Sequence, residues 1–173
     1  MKKILQISIF IFIFIGISEF RVQAQATVTT QVFAEVISAI TATETSQLNF
    51  GRFTPETDGG EVLLSPQGSR SSYGTVILVS GTHNPASFYI TGENDYTYSI
   101  TLPSTPVIIT NVNNSKTMHV TNWSSIPPAG IGAGTLHGGS QTVNIGATLQ
   151  VGTINDNPTG TYMGTYNVSF DYN

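Results

Sequence analysis

Between Tyr162 and Tyr172 the side chains alternate at every position. Tyr162, Gly164, Tyr166, Val168, Phe170 and Tyr172 fall on one face, and Met163, Thr165, Asn167, Ser169 and Asp171 on the other. A period of two belongs to a strand with one buried face, so a β-strand is expected over Tyr162–Tyr172. A second alternation opens the region after residue 25: in Ala26–Ala42, Val28, Thr30, Val32, Ala34, Val36 and Ile40 share a face, predicting another strand. Between these ends lie runs rich in Val, Ile, Thr and aromatics at Gln47–Phe53, Gly60–Ser65, Thr75–Ser80, Ser87–Thr91, Thr97–Leu102, Val107–Thr110, Thr117–Trp123 and Thr142–Val151. Turn residues separate them at Gly59-Gly60, Gly68, Gly81 to Pro85, Asn94-Asp95, Asn113-Asn114, Pro127-Pro128 and Asn155 to Gly160.

About ten short strands, without a sustained helical period or β–α alternation, predict an all-β fold: an antiparallel, immunoglobulin-like β-sandwich. Short strands without paired aromatic girdles argue against an outer-membrane barrel.

The first 24 residues change the picture of where the chain works. Lys2 and Lys3 precede an apolar run from Ile4 to Ile17, and small residues follow at Ala24 and Ala26. This is the layout of a secretory signal peptide, with cleavage expected after Ala24 or Ala26. Residues 25–173 would then form a single sandwich domain with no transmembrane segment. Export also leaves Arg52, Arg70 and Lys116 as the only Lys or Arg residues, against nine acidic ones, a formal charge near −6. Such a surface repels nucleic acid, and no nucleic-acid partner is expected. The sequence contains no cysteine, which excludes both a disulfide framework and a lipid anchor on an N-terminal cysteine.

Candidate chemistry is sparse. His83, His119 and His137 lie 36 and 18 residues apart, a spacing that fits no metal-ligand motif. His83 reads as part of a turn and His119 as a half-buried strand residue. Glu93 with Asp95, and Glu56 with Asp58, are close in sequence but sit in turn-like polar segments where solvated acids are usual. Asn94-Asp95 and Asn155-Asp156-Asn157 offer oxygen atoms without a calcium-loop pattern. Ser69 to Ser72 surround Arg70 without a Gly-x-Ser-x-Gly elbow. Trp123, the single tryptophan, reads as a packing residue or a sugar platform, with packing favoured. The expectation is a protein without catalytic residues, metal or cofactor.

Several segments carry a resemblance. Leu48-Asn49-Phe50-Gly51, Leu64-Ser65-Pro66-Gln67-Gly68, Phe88 to Glu93, Ser99 to Pro103, Met118-His119-Val120, Val143 to Leu149 and Gly160 to Tyr166 together resemble the domain-of-unknown-function family DUF4402 of bacterial surface proteins. A weaker resemblance is to pilin subunits of the chaperone–usher route, most closely their cysteine-free alternate class. It rests on the alternating Val28–Ile40 segment, Gly160 as the fourteenth residue from the C-terminal end, and the penultimate Tyr172. That resemblance implies an incomplete sandwich completed by a strand from the next subunit. Val28, Thr30, Val32, Ala34 and Val36 would then be the donor strand or, within one chain, the domain's own first strand. Gly160, Tyr166, Val168, Phe170 and Tyr172 would form a C-terminal assembly strand. The partners this implies are further copies of the chain or a periplasmic chaperone, and the locations are the periplasm, cell surface or extracellular space. The alternative is a monomeric secreted sandwich whose loops bind a glycan or a host-surface protein.

Overall fold

A computed structural model describes residues 25–173; the expected signal peptide over 1–24 falls outside the described residues. The chain divides into two units, one ending at Glu35 and the other spanning Val36–Asn173. In the first, residues 25–35 carry neither helix nor strand.

The second unit is an all-β sandwich. Its strands are β1 (Thr41–Ser46), β2 (Arg52–Leu64), β3 (Arg70–Val79), β4 (Ala86–Thr91), β5 (Thr97–Thr101), β6 (Val107–Asn111), β7 (Thr117–Ile126), β8 (Gly130–Thr135), β9 (Ser140–Val151), β10 (Tyr162–Met163) and β11 (Ser169–Tyr172). All pairings are antiparallel. The large sheet runs β1-β4-β9-β7-β6-β10, with the β2–β3 hairpin also joined to β9. The small sheet is β11-β5-β8.

Strand β9 organises both halves. Its first half pairs with β4, from Ala86 opposite Ile145 to Thr91 opposite Ser140, and its second half pairs with β2, from Leu64 opposite Ala147 to Gly60 opposite Val151. Two cores result. One gathers Ala86, Ile90, Tyr98, Ile100, Leu136, Val143 and Ile145 beneath the small sheet. The other gathers Phe50, Val62, Leu64, Val76, Met118, Val120, Ala147, Leu149 and Val151.

Several expectations shift. The strand expected over Ala26–Ala42 is absent: residues 25–40 join no ladder among the described residues, and the first strand is Thr41–Ser46. Gly59-Gly60 is not a turn. It sits inside the long β2 at a bulge, where the register jumps from Pro55 opposite Val76 to Gly60 opposite Gly74. With Gly59 at a φ of 69°, the strand bends there without ending. Gln47–Phe53 is mostly an irregular segment leading into β2, anchored by an isolated bridge from Asn49 to Asn84. The glycine-rich β8 was not expected, because its Gly-Ile-Gly-Ala-Gly-Thr sequence carries little strand propensity.

Candidate functional site

The C-terminal alternation is present as burial but not as one strand. Tyr162–Met163 closes the edge of the large sheet against Asn111 and Thr110, whereas Ser169–Tyr172 closes the edge of the small sheet against Thr101 to Tyr98. Residues 164–168 cross between the sheets and join no ladder among the described residues. Tyr166, Val168, Phe170 and Tyr172 still turn inward, packing beside the core under the small sheet. The Phe170 ring meets Phe88 at 5.7 Å and Tyr98 at 6.2 Å, and Tyr166 lies against Trp123 at 4.6 Å. Trp123 is therefore a packing residue. Gly160 precedes β10, and a side chain there would collide with the Asn111 carboxamide, which accounts for the glycine inside this chain.

Beside that crossing lies a groove of about 1300 Å³ with a mixed polar and apolar lining. One wall runs from Gln47 to Pro55, the other from Pro158 to Tyr166. The floor is the inward face of β6, β7 and β9: Val107, Ile109, Met118, Val120 and Leu149. The pleat places these residues, since β7 turns Met118 and Val120 inward and His119 outward. His119 is thus exposed, not half-buried. Among the groove's lining residues only Glu44 and Arg52 are charged.

Polar groups of the chain hold both walls. Arg70 donates from Nη1 to the carbonyls of Phe50 (2.8 Å) and Arg52 (3.3 Å) and from Nη2 to that of Val79 (2.9 Å), tying the first wall to the hairpin. Asn84 Nδ2 donates to the Ser46 hydroxyl and the Gln47 carbonyl. On the other wall the buried Asn157 accepts from the Gly152 N–H and donates to the Thr117 carbonyl at 2.8 Å.

Two polar atoms in the groove lining are left over. Trp123 Nε1–H and the Tyr166 hydroxyl are buried without a hydrogen-bond partner. Burial, with a smaller push from the Glu44 carboxylate, raises the Tyr166 phenol to about 12. Such groups ordinarily find a partner, because an unpaired buried donor costs about 1–3 kcal/mol.

At the far end of the terminal strand, Tyr172 forms a clamp on Ser38. Its hydroxyl accepts from the Glu93 N–H (2.6 Å) and donates to the Ser38 carbonyl (2.9 Å), while the Ser38 N–H donates to Glu93 Oε2 at 2.8 Å. That backbone N–H holds the exposed Glu93 carboxyl below its usual pKa. Gly92 makes room, since a side chain there would collide with the Tyr172 hydroxyl. Just upstream, Val28, Val32 and Val36 are 80%, 94% and 96% exposed, and Thr30 and Ala34 are exposed with them.

The chemistry-bearing residues stay apart. Among the described residues no three of His, Cys, Asp and Glu gather as a metal site. His137 stands 3.6 Å from Asp95 with both side chains in solvent. Asp156 accepts from Thr153 Oγ1 in an ordered turn. No helix among the described residues is long and apolar enough to cross a membrane.

With the sandwich, the split terminal strand and the groove in place, comparison with known families is decisive at one level. The family model for the domain of unknown function DUF4402 matches residues 40–172. The chain belongs to the DUF4402 family. The match begins one residue before β1 and ends on Tyr172, so the family domain comprises the sandwich with both walls of the groove. No curated protein and no solved structure matches the chain. Sequence reasoning did not find the groove, Arg70 as its brace or the Ser38 clamp. Only the alternation through Tyr166 hinted at a strand bordering one wall.

Proposed function

We propose that this DUF4402 protein is a non-enzymatic structural or adhesive subunit of a bacterial cell surface, exported by its N-terminal signal and assembled from copies of itself by strand addition. The observation that carries the reading is the state of Val28–Val36. An alternating segment with strand-forming residues, its one charge Glu35 on the face opposite the valines, stands largely exposed and outside every ladder among the described residues. Three exposed valines in register are one half of a pairing surface, and exposed strand surface of this kind recruits another chain. The resemblance to cysteine-free pilins supports the same reading.

A donor on one copy and a receiving edge on the next make a head-to-tail contact, which does not close on itself and produces open chains. Light scattering on the purified chain from residue 25 onward is expected to give a concentration-dependent series of multimers. Val32→Asp is expected to leave monomers of unchanged melting temperature, because a charge on the donor face cannot be buried unpaired but harms nothing while exposed. A monomer at all concentrations in the unaltered chain would overturn the proposal and favour the solitary secreted binding module.

A further inference from the structure

We infer that the hollow between the segment entering β2 and the Gly81-Thr82 turn after β3 binds a carboxylate-bearing sugar, with Arg52 as the carboxylate's partner. The inference rests on the adhesive part of the reading above, to which it gives a ligand class, and is independent of assembly.

The first argument is the distribution of charge. From residue 25 onward the chain has three Lys or Arg residues, Arg52, Arg70 and Lys116, against nine acids. Two of the three come together here. The hollow, of about 460 Å³, is lined by Asn49, Gly51, Arg52, Gly81 and Thr82. Arg70 stands directly behind Gly51 but is engaged by three backbone carbonyls. Arg52 is exposed and joins no ion pair among the described residues, where the single such contact is His137 with Asp95. No carboxylate lines the hollow; Glu44 borders the adjoining groove instead. In a chain with a formal charge near −6, an acid-free hollow around an unengaged guanidinium is electrostatically fitted to an anion.

The second argument is how the backbone shapes the hollow. Gly51 has a φ of 75°, and a side chain there would press on the Thr82 carbonyl at 3.0 Å and on His83 Cβ at 3.1 Å. Gly81 has a φ of 151°, and a side chain there would meet Arg52 Cδ at 3.6 Å, so the arginine stem lies across a bare glycine. The His83 ring N–H donates to the Gly81 carbonyl at 3.3 Å and closes the turn. Asn49 accepts the Gly51 N–H on Oδ1 at 2.8 Å, which leaves its amide NH₂ as a donor beside the guanidinium.

The third argument selects the anion. A guanidinium fork matches the two oxygens of a carboxylate. One unengaged positive charge balances a monoanion, whereas a phosphate monoester carries about −1.5 to −2 near neutral pH. The Asn49 amide and the Thr82 hydroxyl suit the hydroxyls of a sugar ring. A volume of about 460 Å³ falls within the roughly 300–1,000 Å³ of small-ligand pockets and leaves room for more than a bare carboxylate. The lining contains no aromatic or aliphatic side chain, so an apolar acid has nothing to bury against.

Titrating the purified chain from residue 25 onward with D-glucuronate and with N-acetylneuraminate, followed by amide NMR shifts, tests the site. Saturable shifts at Gly51, Arg52, Gly81 and Thr82 are expected with at least one of these sugars, and at least tenfold weaker binding of glucose, acetate, triglycine and inorganic phosphate. Arg52→Gln is expected to weaken the sugar at least tenfold with an unchanged melting temperature, and Lys116→Gln to leave binding as it was. Acetate or phosphate binding as well as the sugars would make the hollow an unselective anion site and overturn the sugar assignment, and triglycine doing so would assign it to a peptide's free carboxyl end. No shift at these residues with either sugar, or binding that survives Arg52→Gln, would overturn the site. Light scattering separates this outcome from the assembly reading: multimers without sugar binding would overturn the hollow alone, and sugar binding by a chain that stays monomeric at every concentration would overturn assembly alone.

Discussion

The two halves of the sandwich are built on the same strand yet finished differently. Under the small sheet, β9 contributes Val143 and Ile145 to a core in which Ala86, Ile90, Tyr98 and Leu136 are also fully buried. Past Ala147 the same strand contributes Leu149 and Val151 to a core whose neighbours on the floor, Val107 and Ile109, are only partly covered. The reason is width. The large sheet is six strands across from β1 to β10, and the small one that roofs it has three. The second half is walled by the β2–β3 hairpin and the 158–166 segment, which bury Met118, Val120 and Leu149 to 3% exposure or less and leave the groove open chiefly at Val107 and Ile109 on β6.

Mutations that shrink side chains in each half test that contrast most strongly. Leu136→Ala, at a fully buried position, is expected to lower unfolding stability by about 2–5 kcal/mol in urea titration. Ile109→Ala on the open floor is expected to cost under about 1.5 kcal/mol, because part of its surface is already wet. Equal losses would mean that the two halves are equally closed.

The next effect concerns the wall. Arg70→Ala removes a charged donor from three carbonyls and is expected to cost about 1.5–3 kcal/mol. Arg70→Lys is expected to recover little, since an ammonium lacks the planar fork that spans Phe50 and Val79. Full rescue by Lys, measured by thermal unfolding, would show that charge alone holds the wall.

Much of the sandwich was legible in the sequence, and the groove was not. Alternation placed β5, β6 and β7, whose buried faces obey a period of two, while β4 and β9 were legible from their Val, Ile, Thr and aromatic content although β9 buries every residue from Ile145 to Leu149. It failed at 26–40, where the pattern is equally good but the segment pairs with no strand among the described residues. Periodicity reports which face a strand would bury and is silent about what buries it. It failed again at 162–172, where inward and outward positions were right but the backbone changes sheets at 164–168. The groove was invisible for a related reason: Val107 and Ile109 on β6 read the same whether they are fully covered or, as here, only in part. Gly59-Gly60 misled because a bulge and a turn use the same residue.

A smaller effect is expected at the clamp. Tyr172→Phe removes a hydroxyl that bonds both Glu93 N–H and the Ser38 carbonyl, at about 1–2 kcal/mol. It is also expected to speed hydrogen exchange at Ser38, whose carbonyl loses its donor. Acid is expected to act similarly. The depressed Glu93 pKa means its contribution is present above the ordinary carboxylate value of 4.5 and fades as pH falls below it, when the Ser38 N–H loses its ionised acceptor. Hydrogen exchange at Ser38 that ignores both changes would show that the clamp does not control the arm.

The finest contrast is between two tyrosines of the core under the small sheet, Tyr98 fully buried and Tyr166 half-buried at its edge. Tyr98 donates its hydroxyl to Gln141 Oε1 at 2.7 Å, whereas the Tyr166 hydroxyl has no partner. Burial pushes both phenols from 10.0 to about 12. The folded chain therefore keeps protons that the unfolded chain releases near pH 10, so their contribution is intact below that value and declines between about pH 10 and 12. Tyr98→Phe strands Gln141 and is expected to cost about 1 kcal/mol at neutral pH. Tyr166→Phe deletes a group that nothing satisfies in the single chain, so unfolding at neutral pH is expected to be unchanged or slightly more difficult. Assembly should respond the other way: if an entering strand supplies the acceptor, Tyr166→Phe weakens multimers while Tyr98→Phe leaves them intact. Opposite orderings in the two measurements would place the missing roof at Tyr166, and identical orderings would make its unpaired hydroxyl a local packing flaw.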